Sequence, residues 1–272
     1  MKMKEVIPSI LNSCSLLKMK RKDLMRHDRR TVPVIITLTS ISSRLGSVSL
    51  VIRSLLSQRL QPEKIILWLN EDLRSRIPIG LEDLLFERFS IQYTSLQCSH
   101  KKLVHTLALY PDRVIITCDD DVLYHEQWLE ALYLDHLINP KGVIAHQVRL
   151  IRRDSDGNLK AYKEWNSSPD VGSESDAWLA IGGKGVLYPI DPFDERYSDS
   201  ELFLKLTPTA DDLWFKAMEI LKGTSVRKCL FAVPDPIPII GTQKMALKTA
   251  NIDQDKNRIQ WSALENHFDI TV

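Results

Sequence analysis

From residue 32 the chain alternates short apolar runs with longer segments whose apolar residues recur every three or four positions. Residues 32–39 (VPVIITLT) are rich in β-branched side chains and continuous in hydrophobicity, the pattern of a strand buried on both faces. Residues 43–58 follow, with Leu45, Val48, Ile52, Leu55 and Leu56 on one helical face, which predicts a βα unit. Residues 64–69 (KIILWL), 89–94 and 113–118 (RVIITC) predict three more strands, with a helix over 101–109 closed by Pro111. Strands separated by helices build a mostly parallel sheet, and such sheets bind ligands beyond the carboxyl ends of their strands.

Beyond residue 125 the rhythm loosens. The pattern predicts a helix over 126–137, a strand over 142–150, and a polar stretch over 152–174 long enough to be a lid or substrate loop. Residues 178–189 read as strand-like but contain Gly182, Gly183 and Gly185, and glycine inside a strand marks a bulge or a close approach. A helix is expected over 211–221 and a strand over 226–233. Pro234, Pro236 and Pro238 then make a stiff connector before a polar tail.

Composition narrows the class without naming one. With 44% hydrophobic and 26% charged residues, the 272-residue chain is an ordinary globular protein. No run of about 20 apolar residues is present to span a membrane. The net charge of +1 argues against a surface built to hold nucleic acid. It hides an asymmetry, because residues 1–30 carry nine Lys and Arg against three acids, leaving the body mildly acidic. Within that leader Ile7, Ile10, Leu11, Cys14 and Leu17 share one helical face ahead of a basic cluster, the pattern of a helix lying on an anionic membrane surface. A frayed basic arm is the alternative. The four cysteines are scattered singly, so neither a zinc site nor a disulfide framework is indicated, and a reduced cytosolic setting fits.

The sharpest feature is Asp119-Asp120-Asp121 at the end of the run IITC. On extended backbone Asp119 and Asp121 point to one side and Asp120 to the other. Like charges this close repel, and a cation offsets the repulsion. Hard oxygen ligands favour Mg²⁺ or Mn²⁺, with substrate phosphates completing the shell. The alternative is an acidic turn ahead of the 126–137 helix.

The ordered set of Thr37-Leu38-Thr39-Ser40 after the first strand, Asn70-Glu71 after the second, IITCDDDV, IGGKGVLYP, and Ala210-Asp211-Asp212 opening a helix resembles the GT-A fold glycosyltransferases, most closely the family 2-like group, over about residues 32 to 222. The resemblance implies an α/β single domain over residues 31–272 behind the leader 1–30. Residues 31–124 would be a Rossmann-like nucleotide-sugar half and 125–272 an acceptor and catalytic half. It implies a nucleotide pocket lined by Thr37, Thr39, Ser40 and Arg44, with Asn70 and Glu71 where the family has an acid against the base. Lys101 and Lys102 would lie at the diphosphate. Asp119 and Asp120 fall within the donor site, and Asp119 and Asp121 would meet the Mn²⁺ or Mg²⁺. Gly182 and Gly183 would admit the sugar against bare backbone, Asp212 or its neighbour Asp211 would be the general base, and His267 a late third metal ligand. Trp178, Trp165 and Tyr188 are candidates for stacking on a sugar. The donor implied is a nucleoside-diphosphate sugar, UDP-sugars being favoured, and the acceptor a glycan or lipid-linked glycan of the cell envelope, such as lipopolysaccharide or capsule. Transfer would take place with inversion at the cytoplasmic membrane face.

Two other readings compete. A haloacid-dehalogenase-like phosphatase would also use Asp119 and Asp121 after a strand, but that motif normally opens the first strand of its domain and two βα units precede it here. A non-catalytic sugar-binding module would need neither acidic pair to be competent. A glycine-rich phosphate loop after the first strand, as a sugar nucleotidyltransferase requires, is absent from Thr39-Ser40-Ile41-Ser42-Ser43-Arg44.

Overall fold

The computed structural model describes residues 3–26, 28–167, 170–242 and 254–272; leader residues 1, 2 and 27 lie outside it. In chain order, helix α1 (Met3–Lys18) and the single turn α2 (Arg21–Leu24) precede β1 (Thr31–Thr39), α3 (Leu45–Leu56) and β2 (Gln61–Asn70). Then come α4 (Ile79–Glu82), β3 (Phe89–Thr94), α5 (Lys101–Leu109), β4 (Val114–Thr117), β5 (Val122–Leu123) and α6 (Trp128–Ile138). The second half holds β6 (Val143–Ala145), β7 (Val148–Leu150), β8 (Glu174–Ser175), β9 (Trp178–Ala180) and β10 (Val186–Tyr188). It closes with α7 (Ser200–Leu206), α8 (Asp211–Lys222), β11 (Val226–Lys228), β12 (Ile237–Pro238) and α9 (Lys256–Phe268).

Eight strands form one mixed, mostly parallel sheet in the order β3-β2-β1-β4-β10-β6-β11-β8. β1 is parallel to both β2 and β4, and the antiparallel β10 joins β4 to β6. Helices cover both faces, as the continuous hydrophobicity of β1 requires. Val34, Ile36 and Leu38 face a cluster with Val48, Val51, Ile52 and Leu55 of α3 and Leu129 and Leu132 of α6. Ile35 faces a second cluster with Leu103, Val104 and Leu107 of α5 and Leu213, Trp214 and Met218 of α8. The α/β architecture expected from the sequence is thus present, and α5 has the expected bounds.

The differences lie mainly in the second half. The expected strand 142–150 is two strands in different sheets, β6 and β7, and the run 178–189 is likewise β9 and β10. A tight turn over Gly182–Lys184 parts them, and Gly185 follows with φ 105°, a conformation that glycine adopts without strain. The strand expected to reach residue 233 stops at Lys228. α7 and α9 were not anticipated: the stretch read as a polar tail carries α9, which packs on α8 through buried Trp261 and Leu264. The polar stretch 152–174 is not a free lid along its described part. Its Trp165 is buried edge-on against Trp261, and Leu150 donates to the Asn166 carbonyl. Nor is the leader a loose arm. Leu16 and Leu24 are buried in the main core, and the Arg53 guanidinium donates to the Leu16 and Met19 carbonyls.

Candidate functional site

The chain runs outward from β1 through β2 to β3, then returns to the other side of β1 as β4. The order therefore reverses between β1 and β4, and a crevice opens at their carboxyl ends. Ser40 and Arg44 follow β1 and the three aspartates follow β4, so topology brings these two segments together. Ser40 Oγ donates to Asp120 at 2.5 Å. One Arg44 nitrogen reaches Asp120 at 2.6 Å and the other Asp121 at 3.2 Å. Strict alternation predicts Asp120 and Asp121 on opposite sides, but β4 ends at Thr117 and the aspartates sit on a turn, so one guanidinium serves both. Asp120 is almost fully buried. Burial pushes its carboxyl up from the ordinary value against the pull of Arg44 and Ser40.

Asp119 turns the other way. Its side chain is 39% exposed and lies 3.4 Å from the Lys102 ammonium, which also lies 3.3 Å from Asp211. Lys102, at the start of α5, thus ties the first acid cluster to the second. Burial opposes its charge, but Asp211, Asp119 and Asp212 outweigh burial and raise its pKa. Burial also opposes ionisation of Asp211, yet Lys102 and His100 outweigh it and keep that carboxyl below its ordinary value. Among the described residues no cation is paired with Asp212 alone. Burial, then the charge of Asp211, push it up to about 8, despite Lys102 and the Gly182 N–H that donates to it at 3.2 Å.

The glycine turn sits between the two acid clusters. A Cβ on Gly182 would stand 3.0 Å from an Asp212 oxygen, and one on Gly183 would stand 3.2 Å from an Asp119 oxygen. Tyr124 closes the arrangement: its hydroxyl accepts from the Asp119 N–H at 2.8 Å and donates to the Gly183 carbonyl at 3.3 Å. Among the described residues, Asp119 and Asp212 thus meet across the turn, and with Asp211 beside them and Asp120 and Asp121 on the adjoining loop the carboxylates outnumber Lys102 and Arg44. That excess of partly buried negative charge suits a cation or the hydroxyls of a ligand.

Several expected residues play other parts. Thr37 is fully buried beneath the site, its hydroxyl donating to the Lys102 carbonyl at 2.8 Å, so it anchors α5 and does not line a pocket. Thr39 bonds the Trp68 carbonyl at 2.8 Å and ties β1 to β2. Lys101 is held by Asn70 at 2.6 Å, away from the aspartates, and Glu71 pairs with exposed Arg74. Trp165 and Tyr188 are 1% and 2% exposed and cannot offer a ring face to a sugar; Trp178 is partly exposed. His267 sits on the exposed side of α9, edge-on to Phe268. The expected triad with Asp119 and Asp121 is not assembled, since among the described residues no three His, Cys, Asp or Glu side chains are grouped to hold a metal. A helix whose Trp261 and Leu264 face the core turns His267 outward.

Tyr124 escaped the sequence reading, as did Ile239, whose N–H donates to the Asp121 carbonyl at 2.9 Å. Tyr124 stands three residues past the aspartates, where an aromatic residue reads as core. No protein-family model matches the chain, and no curated protein matches it. Among solved structures, 4-diphosphocytidyl-2C-methyl-D-erythritol synthase from Anaerococcus prevotii is similar over 76% of this chain and 88% of that one, with a TM-score of 0.45 and 13% identity. A likeness of that size does not bear on function. Among the described residues, no helix is long and apolar enough to cross a membrane.

Proposed function

We propose that the chain is a metal-dependent, inverting glycosyltransferase that moves a sugar from a nucleoside diphosphate to a hydroxyl of a glycan or lipid-linked acceptor. The observation that carries the reading is the meeting of two acid clusters from distant parts of the chain across the Gly182–Gly183 turn, with Lys102 between them. One cluster is suited to a diphosphate and its metal, the other to a proton.

Asp121 and Asp119 are the residues that would hold the ion, since two hard carboxylate donors are what Mg²⁺ or Mn²⁺ commonly takes from protein when substrate phosphates fill the rest of its shell. A metal held there would supply Lewis-acid stabilisation of the departing diphosphate. Arg44 orients the loop through Asp120 and Asp121, and Lys102 offsets negative charge next to Asp119. Gly182 and Gly183 leave room where any side chain would crowd a carboxylate.

Asp212 is the general base. The acceptor oxygen attacks the anomeric carbon, its proton passes to Asp212, and the bond from that carbon to the diphosphate oxygen breaks, its electron pair leaving with the diphosphate. A carboxylate with a pKa near 8 is a stronger base than an ordinary one while still ionised in useful amount near neutrality. Asp211, neutralised by Lys102, is the poorer candidate.

Binding of Mn²⁺ with a nucleoside diphosphate, measured by calorimetry, tests the donor half. Asp121→Ala should lose the metal-dependent part of the binding. Unchanged binding in that variant removes Asp121 from the metal site.

A further inference from the structure

The leader helix is docked with its apolar stripe outward. Ser9 and Leu16 of α1 are buried against the body, while Ile7, Leu11 and Leu17 on the far side are 68%, 64% and 59% exposed. A surface helix of a globular protein normally turns such a stripe to the core. Here the orientation is held from below, because α1 packs on α3 and Arg53 grips the carbonyls of Leu16 and Met19. Ile10 and Cys14 lie on the same outward stripe. Lys4 lies at one end, and Lys18, Lys20 and Lys22 lie at the other, all exposed.

We propose that this face of α1 lies on the surface of an anionic lipid bilayer, aliphatic side chains inserted and lysines among the head groups. The charge selects this occupant. An aliphatic stripe flanked by exposed lysines complements acidic lipid, whose surface attracts each cation within a Debye length. The placement has a consequence for the site, independent of which reaction takes place there. α1 also touches β12, and Ile239, the next residue after that strand, holds the Asp121 carbonyl. β12 thus links the docked leader to the aspartate loop, and a bilayer under α1 would hold the molecule by the element next to that loop.

Co-sedimentation of the whole chain with phosphatidylcholine vesicles, with and without phosphatidylglycerol, tests the proposal. Binding should require the anionic lipid and weaken with salt. The combined variant Ile7→Ser, Leu11→Ser, Leu17→Ser should lower the partition coefficient roughly 100-fold. Lys18→Glu, Lys20→Glu, Lys22→Glu should lower it at least about tenfold. All six side chains are exposed, so the thermal unfolding midpoint should hold and a common folding defect is distinguished. Absence of binding to anionic vesicles, or binding that neither set alters, overturns the proposal. So does a dimer seen by sedimentation that the serine variant dissociates, because a second copy would then cover the stripe.

Discussion

The aspartate loop 119–121 and the pair Asp211-Asp212 carry the same chemical group and differ in how its charge is balanced. In the loop Arg44 spans Asp120 and Asp121, and Lys102 stands beside Asp119. In the pair, among the described residues, one lysine, already shared with the loop, serves Asp211, and Asp212 faces the Gly182 N–H. Near-equal composition therefore yields different chemistry: a positioned anionic cradle in one place, a carboxyl eager for a proton in the other. Environment separates the two roles, as it does wherever paired acids divide acid and base duties.

The comparison breaks most completely at Lys102, the group common to both regions. Lys102→Met should lower the unfolding free energy by about 3–5 kcal/mol, since it strands buried Asp211 without its partner. Denaturant titration measures this, and a loss below about 1 kcal/mol means that the two clusters are not electrostatically joined. Asp212→Asn should cut kcat by roughly 10²–10⁴ while leaving donor affinity intact. Full activity in that variant excludes Asp212 as the base.

The same residue sets the pH dependence. Its native pKa of about 8 lies above the ordinary value of 3.8, so the folded protein holds that proton more tightly than the unfolded chain does. Its contribution to stability is present in full below pH about 4 and is lost as the pH rises through about 8. Wild type should thus lose stability relative to Asp212→Asn over that interval, and a difference that stays flat contradicts the assignment. Smaller effects sharpen the contrast between the clusters. Gly182→Ala crowds Asp212 and should lower kcat roughly tenfold, whereas Gly183→Ala crowds Asp119 and should raise the donor KM by a similar factor. Identical kinetic signatures for the two would merge the roles proposed here. Glu71→Gln, at an exposed ion pair, should leave stability within about 0.5 kcal/mol and kinetics unchanged.

The first half of the chain was readable because its elements follow from local pattern. The β-branched runs of β1 and β4 and the facial periodicity of α5 are each complete within a short window of sequence, whatever distant element buries them. The ends of those strands then pointed to Ser40, Arg44 and the aspartates, which the structure does bring together. The second half depends on distant contacts. β6 and β7 look like one strand until the Gly182–Lys184 turn sends β9 and β10 to different sheets, and α9 looks like a polar tail until α8 supplies its hydrophobic partner. Aromatic residues misled for a related reason. Trp165 and Tyr188 have the same chemistry whether they stack on a sugar or fill a core, and only burial tells the cases apart. Lys102 was expected at a diphosphate together with Lys101, and its place between two acid clusters, apart from Lys101, came from tertiary structure alone.

Turnover of a panel of nucleotide sugars with Mn²⁺ and a mixed set of glycan and lipid-linked acceptors, read as nucleoside diphosphate released, tests glycosyl transfer most directly. The expected result is release from one class of donor by the wild-type chain, its loss in Asp121→Ala, and its near loss in Asp212→Asn with donor binding retained. Absence of release from every sugar donor, with pyrophosphate formed instead from a nucleoside triphosphate and a sugar phosphate, would contradict the account.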